Sequence, residues 1–174
     1  DSQDTSELFF DDVRVPADNL LGGQEGLGFA QMMQALPQER LIVALVGIAA
    51  MACAMRETLA YTKERKAFGQ TLFGFQNTRF KLVDMYVEQE AARSYLDRVI
   101  MMHAAGEKTT AEASAAKLQC SELLQKHASA CLQFFGGYGF MMEYPIAELY
   151  ADARVQRIYG GTNEIMKELA SRFM

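Results

Sequence analysis

Residues 36–41 place a carboxylate beside a guanidinium, in the sequence LPQERL. Glu39 and Arg40 follow Pro37 at the edge of a strongly apolar, helix-like segment. Carboxylates move protons when they lie in an active site. The alternative is a solvated Glu–Arg pair in the first turn of a helix, where the macrodipole favours an acid. Taken alone, these residues favour the second interpretation.

A second chemical candidate is the segment 65–70, RKAFGQ, which is followed closely by Gln76. Arg65 could hold a phosphate, because its planar fork matches the geometry of phosphate oxygens. The alternative is that the basic residues and the Phe68-Gly69 pair only mark the end of a helix.

Two glycine turns are the third candidate: residues 133–139 (QFFGGYG) and 159–164 (YGGTNE). Glycine lets a backbone approach a ligand closely. At the second turn, Thr162 and the N–H groups after it could receive an anion at the start of a helix. Ordinary helix termination is the alternative for both turns.

Helical periodicity predicts the elements that must position these residues. It indicates one helix from about Gly28 to Lys66, broken or kinked near its start by Pro37. A second is predicted from about Gln76 to Ala105, ending at Gly106.

A third helix is predicted to open with a capping box formed by Thr109 and Glu112 and to end at residues 136–139. A shorter helix should begin at Pro145, and a fifth should be capped by Thr162. The apolar face predicted for the third helix consists of Ala113, Ala116, Cys120, Leu123, His127, Cys131 and Phe134.

The predicted fold class is all-α, an antiparallel up-and-down bundle of the four-helix type. We expect residues 22–174 to form this bundle. Residues 1–21 carry two β-prone runs, at 8–10 and 13–15, which are too short to form a stable sheet alone. We interpret them as the last short strands of a middle β domain that precedes the bundle.

Composition argues against several classes of site. A net charge of −5 with scattered basic residues argues against nucleic-acid binding. The three cysteines give no disulfide pattern, and the two histidines have no ligand-like neighbours, so we expect no metal site. We also expect no membrane span, because the longest apolar run is 13 residues, at 41–53.

Together, the three candidate features resemble the C-terminal domain of acyl-CoA dehydrogenases in order and spacing, over essentially the whole chain. The opening from Asp4 to Pro16 resembles the end of that family's middle β domain. Residues 36–41 and 159–169 look most like the long-chain branch. The resemblance implies an FAD-dependent trans-2,3-dehydrogenation of fatty acyl-CoA in β-oxidation. A carboxylate removes a proton from C2, C3 delivers a hydride to the flavin N5, and an electron-transferring flavoprotein reoxidises the FAD.

The resemblance also assigns the catalytic and substrate-binding residues. Most branches carry the base as a Glu in the second glycine turn, where this chain has Gly160. The long-chain and isovaleryl-type branches place it on the earlier helix just before an Arg, the position of Glu39 here. The resemblance therefore implies Glu39 as the base. The backbone N–H of Gly160, with a flavin ribityl hydroxyl, would hydrogen-bond the thioester carbonyl. Arg40 and Tyr159 would lie near the substrate.

By the same resemblance, Arg65 should contact the FAD pyrophosphate, with Phe68 and Gln76 nearby. Gln133 and Gly137 should line the adenosine side. These five residues would serve the FAD of a partner subunit. The residues expected to touch FAD within their own subunit are Thr162 and, more weakly because its counterpart is often Gln, Glu164.

The family also sets expectations for the whole protein. We expect a homo-oligomer, either a dimer or a homotetramer like that of the family, located in the cytoplasm of a bacterium or in the mitochondrial matrix of a eukaryote. Residues 1–174 alone should fold but lack activity, because the family's flavin ring packs largely against the β domain. Two alternatives stay open: an acyl-CoA oxidase or nitroalkane oxidase of the same fold, or a non-catalytic helical assembly domain.

Overall fold

The computed structural model describes residues 6–174, a range that contains five α-helices. Positions Asp4 and Thr5 of the expected β-domain segment lie outside the described residues. The helices are α1 (Gly28–Glu64), α2 (Gln76–Ala104), α3 (Thr110–Phe135), α4 (Pro145–Val155) and α5 (Asn163–Ser171).

The contacts of α3 show that it runs parallel to α1. Near the start of α3, Ser114 accepts a hydrogen bond from Arg40 of α1. At the end of α3, Phe135 stacks on Tyr61 of α1, with ring centroids 4.2 Å apart. Because the residue numbers rise together along both helices, α1 and α3 lie side by side in the same direction.

The second helix runs in the opposite direction to α3. Tyr95 of α2 donates a hydrogen bond to the carbonyl of Glu112, in the first turn of α3. Earlier in α2, Glu88 pairs with His127, which lies farther along α3. The numbers therefore rise in opposite directions, as the five-residue connection between the helices requires.

The fourth helix also runs against α3. Ile146, at its start, packs into the apolar cluster that contains Cys131. Gln156, just after its end, lies beside Gly47 of α1 and close to Cys120. The four helices α1 to α4 thus alternate up, down, up and down, which confirms the predicted bundle. The short α5 packs against α3.

Small side chains let the long helices approach closely in the core. Ala44, Ala92 and Ala116 are fully buried where α1, α2 and α3 meet. Fully burying one larger side chain, such as Leu124, contributes about 1.5–3 kcal/mol. The three cysteines are free thiols, and burial raises the pKa of Cys120 to about 12, which makes it unreactive.

Of the two effects predicted for Pro37, a break or a kink, the break does not occur. The helix continues without interruption through Pro37 from Gly28 to Glu64. Pro37 removes one hydrogen bond, to the carbonyl of Met33, and Met33 is exposed so water can satisfy that group. Packing of the residues that follow then holds the helix together.

The hydropathy of α1 reflects its central position. By length and composition it could cross a membrane, since an 18-residue window has a mean hydropathy of 1.7. In this structure α1 packs along α3 and α2 and buries Leu41, Ile48 and Met51 against them. A core helix passes the same test of length and composition.

Neither β-prone run forms a strand within the described residues, in keeping with the prediction that they are too short to form a stable sheet alone; their assignment to a preceding β domain stays a prediction. Residues 8–10 and 13–15 carry no strand, and their apolar side chains are exposed. A strand needs a neighbour for its N–H and C=O groups, and the described residues offer these runs none. The strands in residues 6–174 are β1 (Lys66–Ala67) and β2 (Gln70–Thr71), which form a hairpin turning at Phe68 and Gly69.

Helix starts were predicted with mixed success. Pro145 begins α4, and the Thr162 hydroxyl accepts a hydrogen bond from the N–H of Ile165 at the start of α5, as predicted. The capping box at Thr109 is wrong, because that hydroxyl instead bonds Nδ1 of His103, 3.0 Å away. The predicted face of α3 is also shifted at two positions, since the buried residues are Leu124 and Phe135.

Candidate active site

The chain between α4 and α5 makes a glycine turn, Gly160–Gly161, in which both residues have positive φ. The angles are 66° at Gly160 and 96° at Gly161, values that favour glycine. A Cβ on Gly161 would lie 2.7 Å from Cε of Met166, so the end of that side chain would have to shift. The turn therefore depends on glycine chiefly for its backbone conformation.

Arg40 lies beneath this turn. Its Nε donates to the carbonyl of Gly160 and one terminal nitrogen to the hydroxyl of Ser114, each at 3.4 Å. Arg40 is 4% exposed. Burial lowers the pKa of the guanidinium, and the neighbouring Glu39 carboxylate opposes that shift. Arg40 was expected to lie near the substrate. In the structure it also supports the glycine turn through its hydrogen bond to Gly160.

Glu39 is exposed at the surface of α1, on the same face as Val43, one helical turn later. A Cβ on Gly160 would lie 3.6 Å from Cγ2 of Val43, in ordinary van der Waals contact. The patch around Val43 is therefore bordered by Glu39 and by Gly160, the two positions at which the resemblance allows a catalytic base.

A fully buried lysine, which the sequence analysis missed, supports the turn from the α3 side. Lys117 Nζ donates to the carbonyl of Gly161 at 2.7 Å and to Oδ1 of Asn163 at 2.9 Å. Its exposed fraction is 0%. Burial, followed by the nearby Arg40 charge, lowers the pKa of this ammonium to about 8. A lysine on the small-residue face of α3 was the available signal.

Asn163 connects this lysine to the surface. Its Nδ2 donates to Oε1 of Glu122 at 2.9 Å, and its amide exchanges hydrogen bonds with Ser121. Glu122 in turn pairs with Arg157 at 2.8 Å. The first residue of α5 is therefore fixed to α3 by a polar network, and so is the turn that precedes it.

The N–H groups of Gly161 and Thr162 have no acceptor among the described residues. Thr162 caps α5, whereas Glu164 is exposed and its pKa is lowered by a hydrogen bond from its own backbone N–H. Free N–H groups at a helix start favour an anion or an oxygen with developing negative charge. The arrangement is consistent with the ligand contacts expected of Thr162 and Glu164.

Tyr159 is half-buried on the other side of the turn. It lines a cleft of about 430 Å³ between α1 and α4, together with Val46, Ala50 and Asp152. Burial, then the nearby Asp152 charge, raises the pKa of its phenol. The phenol therefore stays protonated at neutral pH and is available as a hydrogen-bond donor.

A second site lies at the other end of the bundle. Arg65, Gln133 and Gly137 line one cleft of about 390 Å³, where the end of α1 meets the end of α3. The Arg65 guanidinium lies over the ring of Tyr138, 5.6 Å from its centroid. Three residues expected to contact FAD thus line one cleft, and one of them, Arg65, supplies a positive charge.

Two further expected cofactor residues lie near this cleft but do not line it. Phe68, at the tip of the β1–β2 hairpin, is 96% exposed. Gln76 is exposed at the first position of α2. Both side chains are exposed in the described chain, as expected for residues that contact another molecule.

The two sites are far apart within one chain. Arg40 lies beneath the glycine turn, and Arg65 follows the last residue of α1, 25 positions later. At about 1.5 Å per residue this separation is roughly 38 Å. That distance exceeds the length of an extended FAD, so one cofactor cannot touch both sites of the same chain.

The described residues contain no group of three or more His, Cys, Asp or Glu side chains placed to hold a metal ion.

Comparison with protein families gives a match along most of the chain. Residues 26–174 match the family model described as acyl-CoA dehydrogenase, C-terminal domain. The long-chain specific mitochondrial acyl-CoA dehydrogenase of Mus musculus is 48% identical over 171 residues, which are 98% of this chain and 40% of the mouse protein. The chain therefore spans about two fifths of the length of that relative.

Solved structures give the same result. An acyl-CoA dehydrogenase from Geobacillus kaustophilus superimposes with a TM-score of 0.90 and 44% identity, over 95% of this chain and 43% of the other. PigA in complex with FAD superimposes with a TM-score of 0.80 and 28% identity, over 87% of this chain and 39% of PigA.

Proposed function

Because this chain belongs to the acyl-CoA dehydrogenase family, we propose that it carries the catalytic base of an FAD-dependent enzyme of β-oxidation. The enzyme converts fatty acyl-CoA thioesters to trans-2-enoyl-CoA. The observation that carries this proposal is the relation of Glu39 to Gly160. A carboxylate projects from α1 beside the patch where Gly160 lacks a side chain.

In this mechanism Glu39 takes the proton from C2 of the acyl chain. Its exposure in this chain leaves it open to an incoming substrate. Once substrate and neighbouring domains exclude water, a carboxylate becomes a stronger base. The N–H of Gly160 stabilises the negative charge that develops on the thioester oxygen. Arg40, held under the turn, adds a positive charge nearby.

The residues present fit FAD. The Arg65 guanidinium borders a cleft shared with Gln133 and Gly137, suited to a pyrophosphate and its adenosine. Phe68 and Gln76 lie at its margin. Thr162 and Glu164 would meet FAD at the glycine turn. When bound, FAD supplies the acceptor for the hydride that leaves C3.

The distance between the two sites supports a homo-oligomer in which each FAD meets Arg65 of one subunit and Thr162 of another. We propose a homotetramer that passes its electrons to an electron-transferring flavoprotein. We propose a cytoplasmic location in a bacterium and the mitochondrial matrix in a eukaryote.

An anaerobic titration of the complete protein with acyl-CoA thioesters of increasing chain length tests the proposal. We expect the visible flavin absorbance to be lost upon addition of substrate, with formation of the trans-2-enoyl product. Little oxygen should be consumed under air without an electron acceptor. Rapid oxygen consumption would instead support an oxidase, and absence of flavin would support a non-catalytic assembly domain.

A further inference from the structure

We infer that Lys117 is a positioning residue for the dehydrogenation, because it sets the orientation of the peptide groups in the glycine turn. This inference rests on the proposed function for its catalytic consequence. Its structural part, the hydrogen bond from Lys117 to the Gly161 carbonyl, stands on the geometry alone.

The argument begins with the peptide group between Gly161 and Thr162. A trans peptide is planar, so its C=O and N–H point in opposite directions. Lys117 draws the Gly161 carbonyl toward the core of the bundle at 2.7 Å. The N–H of Thr162 must therefore point away from the core, and it has no acceptor among residues 6–174.

The preceding peptide group follows the same rule. Arg40 holds the Gly160 carbonyl inward at 3.4 Å, so the N–H of Gly161 points outward. Two buried cations thus turn two consecutive carbonyls in and two N–H groups out. Without them, glycines at positive φ could rotate these peptides at low cost, because glycine tolerates many backbone conformations.

The hydrogen bond from Lys117 to the turn, at 2.7 Å, is shorter than the one from Arg40, at 3.4 Å. Lys117 is also held in place by further hydrogen bonds. Asn163 holds its ammonium from the side at 2.9 Å and is itself bonded to Ser121 and Glu122. Burying an ammonium is costly unless it is hydrogen-bonded. A leucine or methionine would fill the same space without the free-energy cost of desolvating an ammonium. A fully buried lysine at this position therefore indicates a function beyond packing.

The two peptide groups that Arg40 and Lys117 fix come directly after Gly160, so they set where its N–H, the proposed donor to the thioester oxygen, lies. Donors that are already oriented stabilise a developing oxyanion without reorganisation during the reaction. The inward carbonyls also keep two partial negative charges away from that oxygen. Lys117 contributes through the turn and touches no reacting atom.

The test compares Lys117→Met with Lys126→Met in the complete, FAD-containing protein. Methionine keeps the length of the side chain but cannot donate to Gly161. Lys126 is on the same helix but exposed and bound to Glu88, so its variant controls for loss of a cation from α3. Lys117→Gln is a second variant, whose polar end can remain bonded to Asn163 but is too short to hold the carbonyl as lysine does.

We expect Lys117→Met to reduce its flavin with saturating acyl-CoA at least about tenfold more slowly per bound FAD, since small misplacements of catalytic groups are costly. The dissociation constant for acyl-CoA should change far less. Lys126→Met should behave as the unmodified protein. A flavin-reduction rate equal to that of the unmodified protein, in either Lys117 variant, would overturn the inference.

A crystal structure of Lys117→Met supplies a readout that does not depend on activity. The Gly161 carbonyl should no longer point toward position 117. An unchanged turn would overturn the inference even if the rate falls. Failure of the unmodified protein to reduce its flavin would count against the proposed function, whereas the crystal structure would still test the positioning role.

Discussion

In the proposed mechanism, the carboxylate of Glu39 takes the role of the side chain that Gly160 lacks. A Cβ at position 160 meets only Val43 at 3.6 Å, so there is space for a longer side chain. We therefore predict that Gly160→Glu, added to Glu39→Gln, restores part of the lost activity. Recovery should be incomplete, because φ of 66° costs a non-glycine residue about 1–2 kcal/mol and displaces the new carboxylate.

The neighbouring Gly161 provides the control for this experiment. A side chain there would collide with Met166 and meet a φ of 96°, so Gly161→Glu should restore nothing. Flavin reduction by acyl-CoA in a stopped-flow instrument measures both double variants. If Gly160→Glu gives no recovered rate despite normal FAD content and substrate binding, the two positions are not interchangeable.

Residues of the site differed in how readily the sequence revealed them. Glu39, Arg40 and Gly160 sit in short motifs whose order along the chain is informative. Lys117 sits in no motif, and its partners Gly161 and Asn163 follow 44 and 46 positions later. Such a contact exists only after α5 has packed on α3, so local patterns could not predict it.

At the level of elements, periodicity predicted the three long helices because their buried faces repeat every three to four residues. It could not predict that α1 continues through Pro37, since this depends on packing against α3. Thr109 was assigned to a cap because its spacing to Glu112 fits one, yet His103 competes for the same hydroxyl. Tertiary partners decided each of these cases.

The α2–α3 interface should weaken in acid. His127 is fully buried, and burial lowers its pKa, although the hydrogen bond to Glu88 opposes this shift. Hydrogen bonds from Lys126 and His127 lower the pKa of Glu88. The unfolded chain therefore binds more protons than the folded one as pH falls through the ordinary range of each group. Each pKa unit of difference corresponds to about 1.4 kcal/mol.

We predict that the free energy of unfolding of residues 1–174 falls as pH falls below about 6.5, the ordinary value for His. His127→Gln should reduce this dependence. Urea unfolding at several pH values, monitored by the circular dichroism signal of the helices, measures this free energy. The same slope in His127→Gln as in the unmodified chain would show that this interface is not responsible.

At the scale of the whole molecule, the two sites of one chain are too distant to serve one cofactor. We therefore predict that Arg65→Ala and Glu39→Gln subunits, each inactive alone, recover activity when co-expressed. The Arg65→Ala subunit keeps Glu39, and the Glu39→Gln subunit keeps Arg65. A site shared between them can therefore contain both unmodified residues. Activity per flavin in purified mixed oligomers is the measurement.

The matched control places both changes on one chain and co-expresses it with the unmodified protein. Each shared site in such a mixed pair then carries one defect, so mixed oligomers should be inactive. Equal activity in the two kinds of mixed oligomer would contradict sites shared between subunits. The arrangement could not be predicted from residue patterns, because it depends on the length of α1 and on which end of the bundle each motif occupies.

The central claim, that Glu39 removes the proton from C2, is tested most directly by the rate of flavin reduction in Glu39→Gln. This change keeps the size of the side chain and removes its basicity. We predict normal FAD content and acyl-CoA binding, with flavin reduction under anaerobic single-turnover conditions slowed by at least about 10²–10⁴-fold. A Glu39→Gln protein whose flavin is reduced by acyl-CoA at nearly the unmodified rate would contradict the account.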